Sequence, residues 1–227
     1  MARASRDVPP VEGSALALRA ASLEPERSWT IGEPDDDVLV YVVAGAGVLS
    51  VGQTSAAVRA RSAGLVLAGE EALLQATDPL ELVVMSVGPE VDRHAPLGSR
   101  ALTTSLDDAD AQQATGARSF QILFDATNGS TRATLFAGFV PPGKAPWHYH
   151  LYDEIVWVPE GPGRLHVGET VEELGPGSAF RLRPRETHIV ENASSGDMTI
   201  IGLFTPAGSP SAAYLTAEVA AEYRFAG

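Results

Sequence analysis

The chain is 227 residues long, carries a formal charge of −13 and contains no cysteine. That length covers one large domain or two small ones, and the lack of thiols excludes a disulfide framework and any thiolate metal site. An acidic balance with no basic stripe argues against nucleic acid or an anionic membrane surface as partner.

The opening segment, MARASRDVPPVEGS, lacks the apolar core of a signal peptide. No window further on holds the long charge-free apolar run that a spanning helix needs. The expectation is a cytoplasmic protein. Short apolar and β-branched runs then follow in order: DVLVYVV (37–43), GLVLAG (64–69), LELVVMSVG (80–88), ATLFAGFV (133–140), EIVWVPEG (154–161), GRLHVGE (163–169), SAFRLRP (178–184) and MTIIGLF (198–204). Glycine and proline punctuate them throughout, which predicts short strands in an all-β sandwich or barrel. Helical periodicity is confined to LDDADAQQA (106–114) and the C-terminal SAAYLTAEVAAEYRF.

The chain also repeats itself. DVLVYVVAGAGVLSVGQT lies over DEIVWVPEGPGRLHVGET at an offset of 116 residues, bringing Gly45 onto Gly161, Gly47 onto Gly163 and Gly52 onto Gly168. The apolar Val40, Val42, Leu49 and Val51 meet Val156, Val158, Leu165 and Val167. Matched glycines predict matched turns with positive φ. Two copies of one β domain are expected, over residues 1–100 and 119–227, joined by a polar segment.

In the second copy, WHYHLYDEIVWVPEG (147–161) places two of the chain's five histidines one residue apart. On a strand, alternation puts His148 and His150 on one face and Tyr149 on the other. Glu154, Val156 and Val158 share the first face if the strand resumes in phase after a turn at 151–153. By the same alternation Trp157 points away. His188 follows in RPRETHIVEN. Three imidazoles and a carboxylate converging inside a barrel suit Fe, Mn, Ni, Cu or Zn. The offset carries these four positions onto Gly32, Pro34, Val38 and Ala72, none of which can bind a metal. His166 alternates with apolar Leu165 and Val167, which places it on the outward face. Arg181, Arg183 and Arg185 share a strand face and are expected to pair with Glu172, Glu173 or Glu191. The run Asp35–Asp37 reads as a solvated loop.

Residues 143–161 resemble the first cupin motif: glycine, spacer, His-x-His, three residues, Glu, six residues, Gly. Residues 177–192 resemble the second, although Arg183 and Arg185 stand where the family usually has proline and glycine. The resemblance makes His148, His150, Glu154 and His188 metal ligands. With the repeat, it makes the chain similar to a bicupin: two tandem antiparallel β-barrels or jelly rolls with a few short helices, the first without ligands. It implies one divalent ion, iron first, with Mn, Ni, Cu or Zn as alternatives. It also implies a small-molecule substrate, with a homodimer as a possible assembly. The leading functional expectation is an oxidoreductase of dioxygenase type acting on a small oxygenated or aromatic compound. The alternatives are a non-redox isomerase, lyase or decarboxylase, and a binding protein without turnover. No general acid or base is assigned.

Overall fold

The computed structural model describes residues 3–7, 15–114 and 117–222. Among them the regular secondary structure is almost entirely strand, with one helix, Ala217–Glu222. The strands form four antiparallel sheets. A first central sheet runs in the order Arg3–Asp7, Leu16–Leu23, Leu80–Val87, Asp37–Ala44, Ser62–Val66, Thr103–Ser105. A first outer sheet is built from Ser28–Ile31, Ala72–Ala76, Ala46–Val51 and Thr54–Arg59.

The second half repeats four strands of each sheet in the same order, with different strands added at the edges. Its central sheet is Ala111–Gln113, Ser119–Phe124, Thr134–Val140, Met198–Thr205, Asp153–Trp157, Ala179–Leu182. Its outer sheet is Thr170–Leu174, Gly163–Val167, His188–Asn192, His148–His150, Ala213–Leu215.

Alternation along the central strands explains the packing. Val38, Val40 and Val42 face the first outer sheet and pack with Ile31, Leu49, Ala72 and Leu74. Leu39 and Tyr41 face the other way and meet Leu123, Leu135, Ile155 and Leu203 of the second central sheet. The second half mirrors this. Val156 and Val158 pack inward with Leu165, Leu182 and Val190, while Ile155 and Trp157 join the shared core. The order of layers is therefore outer, central, central, outer. Strands buried on both faces read as continuous apolar runs rather than alternating ones.

Several expectations change here. The segment 106–114 is not helical: Asp107 sits in a turn and pairs with Arg59 and Arg61, and Ala111–Gln113 joins the sheet against Ser119–Phe124. Pairing with that strand outweighs a weak helical period. At the C-terminus, Ala213–Leu215 is a strand along His148–His150, and the helix begins only at Ala217. Of the matched glycines, Gly52 and Gly168 do share a positive φ, 57° and 55°. Gly47 and Gly163 serve close approach instead, since a Cβ would stand 2.5 Å from the Gln75 carbonyl oxygen in one case and 2.8 Å from Met198 Sδ in the other.

The acidic run is not wholly solvated either. Asp37 is buried, accepts the Ala68 N–H at 2.9 Å and faces the buried Arg132 at 3.6 Å. Arg132 also donates to the carbonyl of Asp35 at 2.6 Å, so it ties the two halves together. No helix among the described residues is long and apolar enough to cross a membrane.

Stripping one member from a buried pair leaves an uncompensated charge. Arg132→Met should therefore lower unfolding free energy by about 3–5 kcal/mol, read by urea denaturation. The double change Arg132→Met with Asp37→Leu should recover part of that loss.

Candidate metal centre

His148–His150 and His188–Asn192 are neighbours in the second outer sheet, in register at His148 and His188. Glu154 comes from the central sheet across the sandwich interior, on the same face as Val156. The four residues are 2–5% exposed. The His148 and His188 rings lie 4.5 Å apart, and those of His150 and His188 4.9 Å apart. Tyr149 points outward and stacks on Tyr214, while Trp157 lies in the shared core.

Each histidine is oriented from behind by a backbone carbonyl. Nδ1 of His148 stands 2.9 Å from the Pro146 oxygen, that of His150 3.0 Å from Tyr152, and that of His188 2.8 Å from Glu186. A carbonyl only accepts, so each Nδ1 carries the hydrogen and each Nε2 keeps a lone pair. Burial pushes the His148 imidazole down to about 3, with further lowering from the Arg118 guanidinium and His188. Burial likewise lowers His188 to about 4, against a raising hydrogen bond to the Glu186 carbonyl. Both rings are neutral near pH 7.

These lone pairs have few donors to meet. His150 Nε2 sits 2.9 Å from Glu154 Oε2, acceptor against acceptor, and makes no hydrogen bond. Such a pair calls for a cation or a proton between its members. A guanidinium is near: Arg118 nitrogens lie 3.4 and 3.5 Å from His148 Nε2. Among the described residues, no three His, Asp or Glu side chains already stand in a set that could hold a metal ion. Glu154 stands against His150, and Arg118 against His148. The donor types, their tautomers and the unpartnered Nε2 fit a divalent ion.

The surrounding cavity is small, about 70 Å³. Its walls are largely apolar, with Phe120, Phe136, Val156, Leu182 and Ile200 among them. Tyr152 is stacked between His150 and Phe204, each 4.0 Å away between centroids, and its hydroxyl donates to the Pro210 carbonyl. Burial and the nearby Glu154 push its phenol upward, so it stays protonated.

In the first half the same positions are filled by hydrocarbon. The ladder pairs Ile31 with Ala72 where the second half pairs His148 with His188. The counterpart of His148 is thus Ile31 rather than Gly32, one residue from the ungapped alignment. Ile31, Val38 and Ala72 are all buried in the apolar core.

Elsewhere, Arg181 makes a two-pronged ion pair with Asp153, both contacts 2.7 Å, and Arg183 pairs with Glu186. Arg164, not the three arginines, takes Glu173 and Glu191. Arg185 adopts φ 64° in the turn before His188, the left-handed conformation a glycine would take, and its N–H donates to the His150 carbonyl. His166 does face outward but is covered: the Trp147 ring lies edge-on at 6.4 Å, and Nε2 donates to Glu191 at 2.6 Å. Two residues of the site escape sequence reasoning. Arg118 enters from a segment thirty positions before His148. Gly202 gives Glu154 its room, since a Cβ there would overlap the Phe136 ring and come within 2.9 Å of Glu154 Oε1.

Residues 136–204 match the family described as Cupin domain. Among curated proteins no sequence matches. Solved structures do. A point mutant of Bacillus subtilis oxalate decarboxylase superposes with a TM-score of 0.78 at 14% identity, over 98% of this chain and 77% of that one. A structure of the same enzyme studied for its Mn(II) centres gives 0.75 at 13%, over 93% and 74%. The Lactobacillus farciminis oxalate decarboxylase formate complex gives 0.74 at 12%, over 92% and 81%. At these identities the likeness defines the fold, an all-β cupin jelly roll.

Two measurements probe this packing and its charges. Gly202→Ala should destabilise by about 1–3 kcal/mol through overpacking, with Phe136→Leu in the same chain restoring part of it in urea titrations. The Glu191 carboxyl is held below its ordinary value, chiefly by the His166 hydrogen bond. A depressed carboxylate stabilises the fold above its unfolded pKa and loses that contribution as pH falls through the folded one. The stability gap between the wild type and Glu191→Gln should therefore shrink steadily on acidification below about pH 4.5.

Proposed function

We propose that the chain is a divalent-metal cupin enzyme acting on a small organic acid. In this reading it is a bicupin, with a ligand-free first barrel over residues 1–100 and a metal-binding second barrel over 119–227. Nε2 of His148, His150 and His188 and the Glu154 carboxylate hold the ion. The observation that carries the proposal is the shared posture of the three histidines: each Nδ1 anchored on a carbonyl, each Nε2 left as a lone pair in one apolar pocket with a carboxylate. Outer hydrogen bonds of this kind orient metal-ligating imidazoles.

When bound, the ion supplies Lewis-acid polarisation of an oxygen ligand, and a redox-active ion could also serve oxygen chemistry. The chain's own residues do the rest. Arg118, once clear of His148, adds positive charge near the pocket and favours an anionic substrate. Phe120, Phe136 and Leu182 exclude water, which strengthens each electrostatic contact. Tyr152 holds its proton and walls the pocket beside His150.

Among the metals, manganese now stands first. The oxalate decarboxylase neighbours support it through their Mn(II) centres, and nothing in the comparisons supports iron. The same neighbours favour non-redox chemistry on a small acid, a lyase or decarboxylase, over the dioxygenase reading.

Protein purified without added metal should carry one divalent ion per chain by elemental analysis. His188→Gln or Glu154→Gln should lower its affinity by at least about tenfold while circular dichroism stays unchanged. Equal metal content in both variants would remove these residues as ligands. Oxygen uptake during turnover of a small-acid panel that includes oxalate separates the two chemistries. Turnover without uptake keeps the lyase reading; uptake matching product formed restores the dioxygenase.

A further inference from the structure

We propose that Arg118 is an internal counter-cation of this pocket, seated where a metal ion would meet His148, and that metal loading requires its side chain to swing away. The inference rests on the metal reading above and concerns how the chain controls access to that site.

Three observations lead to it. First, both terminal nitrogens of Arg118 approach one atom, His148 Nε2, at 3.4 and 3.5 Å. That atom is the lone pair left once Nδ1 is committed to the Pro146 carbonyl. Second, the pocket otherwise holds acceptors: two further Nε2 atoms and the buried Glu154, whose charge acts on the Arg118 guanidinium against the effect of its burial. A buried carboxylate without a positive neighbour is unfavourable, and a guanidinium offsets it. Third, the Arg118 backbone is held in place. Its carbonyl accepts the Ala114 N–H at 2.9 Å and the Gln113 side-chain amide at 2.8 Å. Any exchange of His148 between arginine and metal therefore falls to the side chain.

A divalent ion bound to His148 would sit about 2.0–2.2 Å from Nε2. A guanidinium at its present distance from the same nitrogen would then share the lone-pair direction with a second positive charge. In the proposal the two arrangements compete for the same nitrogen. Arg118 in place stabilises the metal-free chain, and the metal-competent state is the minor one. Apparent metal affinity is then reduced by the fraction of chains in that state. The reverse also holds, since metal and arginine each weaken the other's hold on the pocket by the same factor.

The test uses the full chain stripped with chelator and titrated with Mn(II) by calorimetry. Arg118→Ala should bind Mn(II) at least about tenfold more tightly than the wild type, and Arg118→Lys, shorter and without the planar fork, should fall between them. In chelator, Arg118→Ala should lower the thermal midpoint, and Glu154→Gln in the same chain should abolish that loss. In saturating Mn(II) the midpoint of Arg118→Ala should match the wild type. Metal binding only in Arg118→Ala would support the proposal in its strongest form. Unchanged or weaker affinity in Arg118→Ala overturns it, as does an equal loss of thermal midpoint with and without metal, which would make Arg118 a packing residue. If neither chain binds Mn(II) or another divalent ion, the metal reading fails and this inference with it; if both bind equally, the metal reading stands and only this inference falls.

Discussion

The packing of the two central sheets against each other governs the rest of the molecule. Their facing surfaces bury Leu39, Tyr41, Leu135, Ile155, Trp157 and Leu203 in one core. Each central strand is thereby apolar on its back, and its register cannot slip without moving that whole set to the wrong side. Ile155 and Trp157, locked in the shared core, fix Glu154 and Val156 on the opposite face. The carboxylate is thus aimed from behind by residues that never touch the pocket. The buried contact of Asp37 with Arg132 adds a polar pin between the halves, where a missing partner would leave a charge stranded.

The pocket is an electrostatic problem that the surrounding layers create. Three imidazoles are turned by backbone carbonyls so that their lone pairs face inward, and burial keeps two of them neutral well below pH 7. A carboxylate is added, and Phe120 and Phe136 are among the apolar walls. Such a cluster of acceptors needs positive charge from somewhere. In the chain as it stands, Arg118 approaches that role from the start of the second half, and His150 Nε2 still finds no donor.

The first half shows what the same strand order does without this chemistry. Ile31, Val38 and Ala72 occupy the ladder positions of the site and close the interior as hydrocarbon. The sandwich therefore forms from apolar alternation and turn geometry alone. Burying polar groups in the second half costs stability that packing does not require, and their orderly hydrogen bonding separates them from incidental core polar residues.

What the sequence by itself determined follows from local, periodic rules. Two-residue alternation assigned the strands and put His148 and His150 on one face, and the repeat set Gly52 and Gly168 in equivalent turns; Glu154, expected on that same face, instead meets them from the facing central sheet. Contacts between distant segments obey no such period, and only tertiary structure decided them. Arg118 meets His148 across separate segments, Gly202 makes room for Glu154 from a neighbouring strand, and Arg132 reaches back to Asp37 from the other half. The polar run 106–114 shows the same limit from the other side. Its helical period is real in the sequence, but a free edge beside Ser119–Phe124 offered backbone hydrogen bonds that an isolated turn of helix could not match.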